Sequence, residues 1–207
     1  IMGRACAANL LRAGFAVSVY ARRPASAAPL VAMGATAYDS PAALAQAVDV
    51  VITNVSDTPD VEAVLLGEHG VIHGAHAGLV AVDMSTINPL AAKTIAARLG
   101  AAGIAFLDAP VSGGEVGAVA GTLTIMVGGE ADALARVRPV LEAMGKTITH
   151  IGASGAGQVA KACNQIVVAV SIAAVAEAMK FARACEVNPA KVREALLGGF
   201  AGSRVLG

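Results

Sequence analysis

Between Phe15 and Ile151 short apolar runs alternate with segments of helical spacing, and few folds accept that alternation. The runs Phe15 to Tyr20, Ala35 to Tyr38, Asp49 to Val55, Leu79 to Met84, Ile104 to Leu107, Leu123 to Val127 and Lys146 to Ile151 read as strands. Helices are expected over Met2 to Ala13, with Gly14 as its cap, and over Ala25 to Met33, Pro41 to Ala47, Pro59 to Leu66, Pro89 to Leu99 and Ala131 to Met144. Strands and helices in this order build right-handed βαβ units. The expected class is therefore α/β, a Rossmann-type, doubly wound, mostly parallel sheet whose strands are apolar on both faces.

From Gly155 onward the strand pattern stops. A long helix to about Ala184 and a shorter one from Pro189 to Leu197 read as the beginning of an all-helical domain. We therefore divide the chain into a dinucleotide-binding domain at 1–153 and a helical part at 154–207, joined through the glycine-rich Gly152 to Gly157. At 207 residues the chain is long enough to bury a core.

Fifteen basic and fifteen acidic residues give zero formal charge, which argues against nucleic acid or an anionic membrane as partner. The longest apolar run, Ile166 to Ala176, is broken by Ser171 and reads as a buried core or interface helix, too short to span a bilayer. Its extension to Ala178 is expected to bury itself in a partner subunit as well, in a dimer or tetramer. Cys6, Cys163 and Cys185 lack metal-ligand spacing and read as small buried hydrophobes of a reducing cytoplasm. The four histidines form no metal pattern either, so no metal is expected.

Chemistry-bearing residues gather at the ends of the strands. Gly3 opens a helix that leads into a strand, where a dinucleotide fold places its phosphate-binding turn. After that strand, where NAD-selective folds hold the ribose with an acid, stand Ala21, Arg22 and Arg23. A guanidinium there suits the 2′-phosphate of NADP, although two solvated surface arginines would read the same way. Asn54-Val55-Ser56-Asp57 and Asp83-Met84-Ser85-Thr86 end two parallel strands, the edge along which ligands bind, and Asp57, Thr58, Ser85 and Thr86 could equally cap helices. In Asp108 to Gly114, Ser112 with Gly113 and Gly114 offers a hydroxyl and bare N–H groups to a carboxylate, or forms an ordinary turn. His69, His73 and His76 cluster in a loop and His150 ends a strand, so none forms a triad with Ser112 and nucleophilic hydrolysis is disfavoured.

In Gly155 to Gln165 a glycine-punctuated loop enters a helix on which Gln158, Lys161, Asn164 and Gln165 share one face. A lone lysine there would snorkel to water. Flanking amides and the open approach to the helix N-terminus favour a working lysine instead.

Together Met2-Gly3 with Asn9-Leu10-Leu11 and Ala13-Gly14, Asp83 to Thr86, Asp108 to Gly114, Gly121 to Gly129 and Gly155 to Gln165 resemble the β-hydroxyacid dehydrogenase family over nearly the whole chain. The resemblance implies a nicotinamide cofactor, NADP favoured and NAD possible, and a small carboxylated semialdehyde or hydroxy acid as substrate. It implies that Lys161 is catalytic, that Ser112, Gly113, Gly114, Asn164 and Gln165 bind substrate, and that Met2, Gly3, Arg22, Arg23, Asn54, Val55 and Thr86 bind cofactor. Asp57-Thr58-Pro59, Asn164 to Ala169 and Gly198 to Ala201 point within the family to reversible reduction of tartronate semialdehyde to D-glycerate. The alternatives are the 3-hydroxyisobutyrate reaction and, in another class, a non-catalytic dinucleotide-binding module, which would have no use for Lys161. The 6-phosphogluconate dehydrogenases carry a histidine where this chain has Asn164. By the same resemblance a first strand and its glycines are expected ahead of Met2, and further helices after Gly207.

Overall fold

In the computed structural model, which describes residues 2–207, α1 (Met2–Arg12) packs Cys6 and Leu10 into the main core. β1 (Ser18–Val19), α2 (Ala28–Val31) and β2 (Thr36–Ala37) follow, the two strands pairing in parallel as a small sheet with its own cluster of Ala8, Val19, Ala27, Leu30 and Ala35. α3 (Pro41–Gln46) starts behind the Ser40 cap. β3 (Val50–Thr53), α4 (Thr58–Leu66), β4 (Val80–Asp83), α5 (Pro89–Ala101) and β5 (Ala105–Asp108) then form two parallel pairings.

Beyond β5 the chain turns back. β6 (Val111–Ser112) leads through α6 (Gly114–Ala120) to β7 (Leu123–Gly129), which is antiparallel to both β5 and β6. After α7 (Ala131–Glu142), β8 (Gly145–Gly152) returns parallel to β7. The sheet is mostly parallel and flanked by helices, as the alternation implies. Its buried rungs carry Val80, Val82, Leu107, Ile125 and Val127 on the side of α1 and α7. Val51, Leu79, Ala81 and Phe106 pack with Val61, Ile95 and Leu99 of α4 and α5.

Several expected elements differ. The run Phe15 to Tyr20 keeps strand geometry only at Ser18–Val19, because among the described residues it has a hydrogen-bonded neighbour on one side alone. The segment Ala25 to Met33 splits into a 3₁₀ turn at Pro24–Ser26 and the short α2, in which Pro29 has no N–H to give. β6 and α6 are absent from the elements expected from sequence, where Ser112 to Gly114 reads as a carboxylate receptor or an ordinary turn.

α8 (Ala156–Ala184) and α9 (Pro189–Leu197) complete the chain, which divides into compact units at Ile1–Lys161 and Ala162–Gly207. Ile166, Val167 and Val170 of α8 are exposed rather than buried, and so are Cys163 and Cys185; only Cys6 fits the reading as a buried hydrophobe. Within the second unit only Ala182 and Leu206 are fully buried, too small a core to cover a helix of 29 residues. Taken whole, α8 is long and apolar enough by length and composition to cross a membrane, a property that core helices of soluble proteins share.

Candidate active site

Strand register places Thr53, Asp83, Asp108 and Gly128 in one row across β3, β4, β5 and β7, at the carboxyl ends of the parallel strands. Both carboxylates are fully buried. Asp83 Oδ1 accepts from the Thr53 hydroxyl at 2.8 Å and from the Ser85 N–H at 3.1 Å, while Oδ2 has no partner. Burial pushes the Asp83 carboxyl above its ordinary range, and the neighbouring Asp108 adds to that.

A stability prediction follows from this row. Between the ordinary carboxylate value of 3.8 and the raised one, the folded chain holds a proton that the unfolded chain releases, so wild-type stability falls as pH rises through that window. Asp83→Asn keeps an acceptor for Thr53 and Ser85 and cannot ionise. It should melt at or above the wild type at pH 7, with the advantage shrinking as pH falls toward 4. A melting point several degrees lower at pH 7 would show that the charged form is the favoured one.

Asp108 is used differently. Its Oδ1 accepts from the N–H of Gly155 at 2.6 Å and its Oδ2 from that of Gln158 at 2.9 Å, so one carboxylate caps the first turn of α8. Desolvation raises its pKa, and the N–H groups of Gly155 and Gln158 oppose the rise. Close approach requires glycine on both sides: a Cβ on Gly128 would stand 2.5 Å from Asp108 Oδ1, and one on Gly157 would strike the carbonyl oxygens of Met126 and Asp108.

Gln158, which helical spacing groups with Lys161 as a polar face, is buried and fully committed. Its Oε1 accepts from the Ile87 N–H at 3.0 Å and its Nε2 donates to the Ser85 carbonyl at 2.9 Å. Lys161, one turn on, is half-buried, and loss of solvent lowers its pKa.

The remaining candidates fall into groups. Met2 packs against the main core, and Gly3 lies against Asn54, with 3.4 Å from its hypothetical Cβ to that of Asn54, which brings the start of α1 to the end of β3. The Val55 N–H donates to Ser85 Oγ at 2.9 Å, tying the β3 and β4 loops together, and Thr86 beside it is exposed. Asp57 caps α4, whereas α5 is capped by Asn88 and not by Ser85 or Thr86. Ser112 pairs with Thr124 on β7, and Gly113 and Gly114 follow at φ of 130° and 62°, conformations open to glycine.

Arg22 is exposed, 3.5 Å from Asp60, and it borders a cavity of about 620 Å³ that Tyr20, Tyr38 and Asp39 also line; Arg23 is exposed. In the second unit Asn164 Nδ2 donates to Gln165 Oε1 at 2.9 Å. Among the described residues no cluster of histidine, cysteine and carboxylate side chains is arranged to hold a metal ion.

Asp108 and Asn9 escaped the sequence reading as site-building residues, and Gln158 was expected only as an amide flanking Lys161. Asn9, buried, donates to the Ala118 carbonyl at 2.7 Å and joins α1 to α6. The available signal was an acid closing an apolar strand with no cation near it in sequence.

Comparison with known proteins identifies the family. Residues 1–152 match the profile of the NAD binding domain of 6-phosphogluconate dehydrogenase, and residues 155–207 that of the NAD-binding part of NADP-dependent 3-hydroxyisobutyrate dehydrogenase. The chain is 46% identical to 2-hydroxy-3-oxopropionate reductase of Escherichia coli strain K12 over 206 residues, all of this chain and 70% of that protein. It belongs to the β-hydroxyacid dehydrogenase family. Another relative is an NAD-dependent L-serine dehydrogenase of Pseudomonas aeruginosa, 46% identical over 178 residues, 86% of this chain and 60% of that one. The solved 3-hydroxyisobutyrate dehydrogenase of Mycobacterium tuberculosis, determined with L-serine, superposes with a TM-score of 0.91 at 36% identity, over 99% of this chain and 69% of that one. As a β-hydroxyacid dehydrogenase the chain is an oxidoreductase that binds a nicotinamide cofactor.

Proposed function

We propose that this β-hydroxyacid dehydrogenase reduces tartronate semialdehyde to D-glycerate, reversibly and with NADPH preferred, using Lys161 as general acid. The observation that carries the reading is a half-buried lysine of lowered pKa on a helix capped by Asp108, whose own loop continues into Ser112-Gly113-Gly114. The 46% identity to an enzyme named for this substrate supports the choice within the family.

The site suits a dinucleotide. Met2 and Gly3 at the start of α1 meet Asn54 at the end of β3, Val55 and Thr86 stand on neighbouring strand ends, and Arg22 and Arg23 lie beyond β1. We assign these residues to hold it. Reduced nicotinamide, when bound, supplies the hydride for the aldehyde carbon. Ser112 and the N–H groups of Gly113 and Gly114 hold the substrate carboxylate. The Lys161 ammonium stabilises the negative charge that develops on the carbonyl oxygen and gives it a proton, leaving a neutral amine that recovers its proton from water. Asn164, spaced one turn beyond Lys161, is assigned to orient the reacting group, with Gln165 beside it.

Turnover measured in parallel with tartronate semialdehyde, methylmalonate semialdehyde and L-serine, each with both cofactors, tests the assignment. A preference for methylmalonate semialdehyde would move the chain to the 3-hydroxyisobutyrate branch, and no turnover of any of them would favour a non-catalytic module. The cofactor choice has its own test. Arg22→Ala should raise KM for NADPH about tenfold and leave that for NADH within about twofold, since only the former carries a 2′-phosphate. Equal effects on both would make Arg22 a surface residue paired with Asp60.

A further inference from the structure

We propose that Asp108 and Gln158 are positioning residues for the proton donor, together locking the first turn of α8 to the two loops that carry Ser112 to Gly114 and Thr86. The inference rests on Lys161 being the acid. Its own ground is the pattern of four hydrogen bonds around a single helical turn.

Fixing a helix start needs only one acceptor, and a serine or asparagine commonly provides it. Here a fully buried carboxylate, with no cation paired to it among the described residues, spreads over two N–H groups three residues apart. Burying an uncompensated carboxylate is costly, so this geometry must be held by the donors it meets. Two separated acceptors fix the tilt of the turn but leave it able to roll about the line joining them.

Gln158 removes that freedom. Its amide reaches the Ser85 carbonyl and the Ile87 N–H, which flank Thr86 in the loop after β4. Asp108 ends β5, four positions before Ser112 of β6. The lysine, three residues beyond Gln158, is thereby referenced to the loop assigned to substrate and to the loop assigned to cofactor. A displacement of about 1 Å at such a group can cost about 10²-fold in rate.

The test uses the intact enzyme and the variants Asp108→Asn, Gln158→Met and Lys161→Ala. Without cofactor, amide exchange at residues 158–162 should quicken about tenfold or more in Asp108→Asn, while amides of β4 and β5 keep wild-type protection. With cofactor, turnover per NADPH-binding site should fall about 10- to 100-fold in Asp108→Asn and less in Gln158→Met, with KM for NADPH within about twofold. The isotope effect from deuterium at the nicotinamide C4 should rise in both, because the chemical step slows; a mere loss of folded enzyme would leave it unchanged.

Wild-type turnover per site and a wild-type isotope effect in Asp108→Asn and Gln158→Met, beside an inactive Lys161→Ala, overturn the positioning role alone. If Lys161→Ala itself turns over normally, the acid assignment beneath it falls. Should Asp108→Asn not fold, Gln158→Met, which leaves the carboxylate clamp in place, decides by the same readouts.

Discussion

Replacing Lys161 by alanine will lower turnover by about 10² to 10⁴ while leaving NADPH binding intact, the range expected when a positioned general acid is removed. The pH dependence should carry the signature of the same side chain. Burial lowers the Lys161 pKa, so the ammonium gives up its proton more readily than a free lysine would. Reduction, which needs the ammonium, should weaken as pH rises through that lowered value. Oxidation of the hydroxy acid needs the neutral amine and should strengthen over the same interval. Lys161→Arg, whose guanidinium stays charged at any working pH, should lose the alkaline rise in oxidation altogether. Fluorescence titration with NADPH and initial rates in both directions provide the measurements. Turnover in Lys161→Ala within a few-fold of wild type would remove the lysine from the chemistry.

Gly157→Ala should destabilise the chain strongly. Its Cβ would strike the Met126 carbonyl oxygen, lie 2.6 Å from that of Asp108 and 2.9 Å from Asp108 Oδ2. Two of these atoms belong to sheet backbone and cannot swing away. Overpacking commonly costs about 1–3 kcal/mol and occasionally more, and this site should reach about 3 kcal/mol or beyond, a fall in melting temperature on the order of 10 °C. Gly100 in α5, where a Cβ meets nothing within 4 Å, is the control. There alanine should stabilise by about 0.5–1 kcal/mol through its helix propensity. If Gly157→Ala melted with the wild type, the contact of α8 with β7 would be looser than described.

The fold was legible because burial on both faces leaves a clear trace: Val50 to Thr53, Val80 to Asp83 and Ala105 to Asp108 are apolar until their last residue. Where pairing is one-sided the trace fades, as at Phe15 to Tyr20. β6 and α6 escaped because Ser112 to Gly114 fits a ligand loop or a turn in a local view, and only the antiparallel return of β7 makes Val111–Ser112 a strand.

For the site, helical spacing groups Lys161 with Gln158 but says nothing of what each meets. Gln158 finds its partners 71 and 73 residues away along the chain, and Asp108 finds its own 47 and 50 residues away. No local pattern encodes such distances. The exposure of α8 was hidden for a related reason: composition shows that a helix is apolar, and only tertiary contacts show whether this chain covers it.

The clamp at the start of α8 also has a mechanical consequence. At about 1.5 Å per residue, Lys161 stands some ~8 Å beyond Ala156, whereas Ala184 is about 42 Å away. A tilt of about 5° at the clamp would carry the far end of the helix almost ~4 Å but move the lysine backbone by only about 0.7 Å. The side chain proposed as the proton donor thus sits near the fulcrum of a long lever, where bending of the helix is felt least.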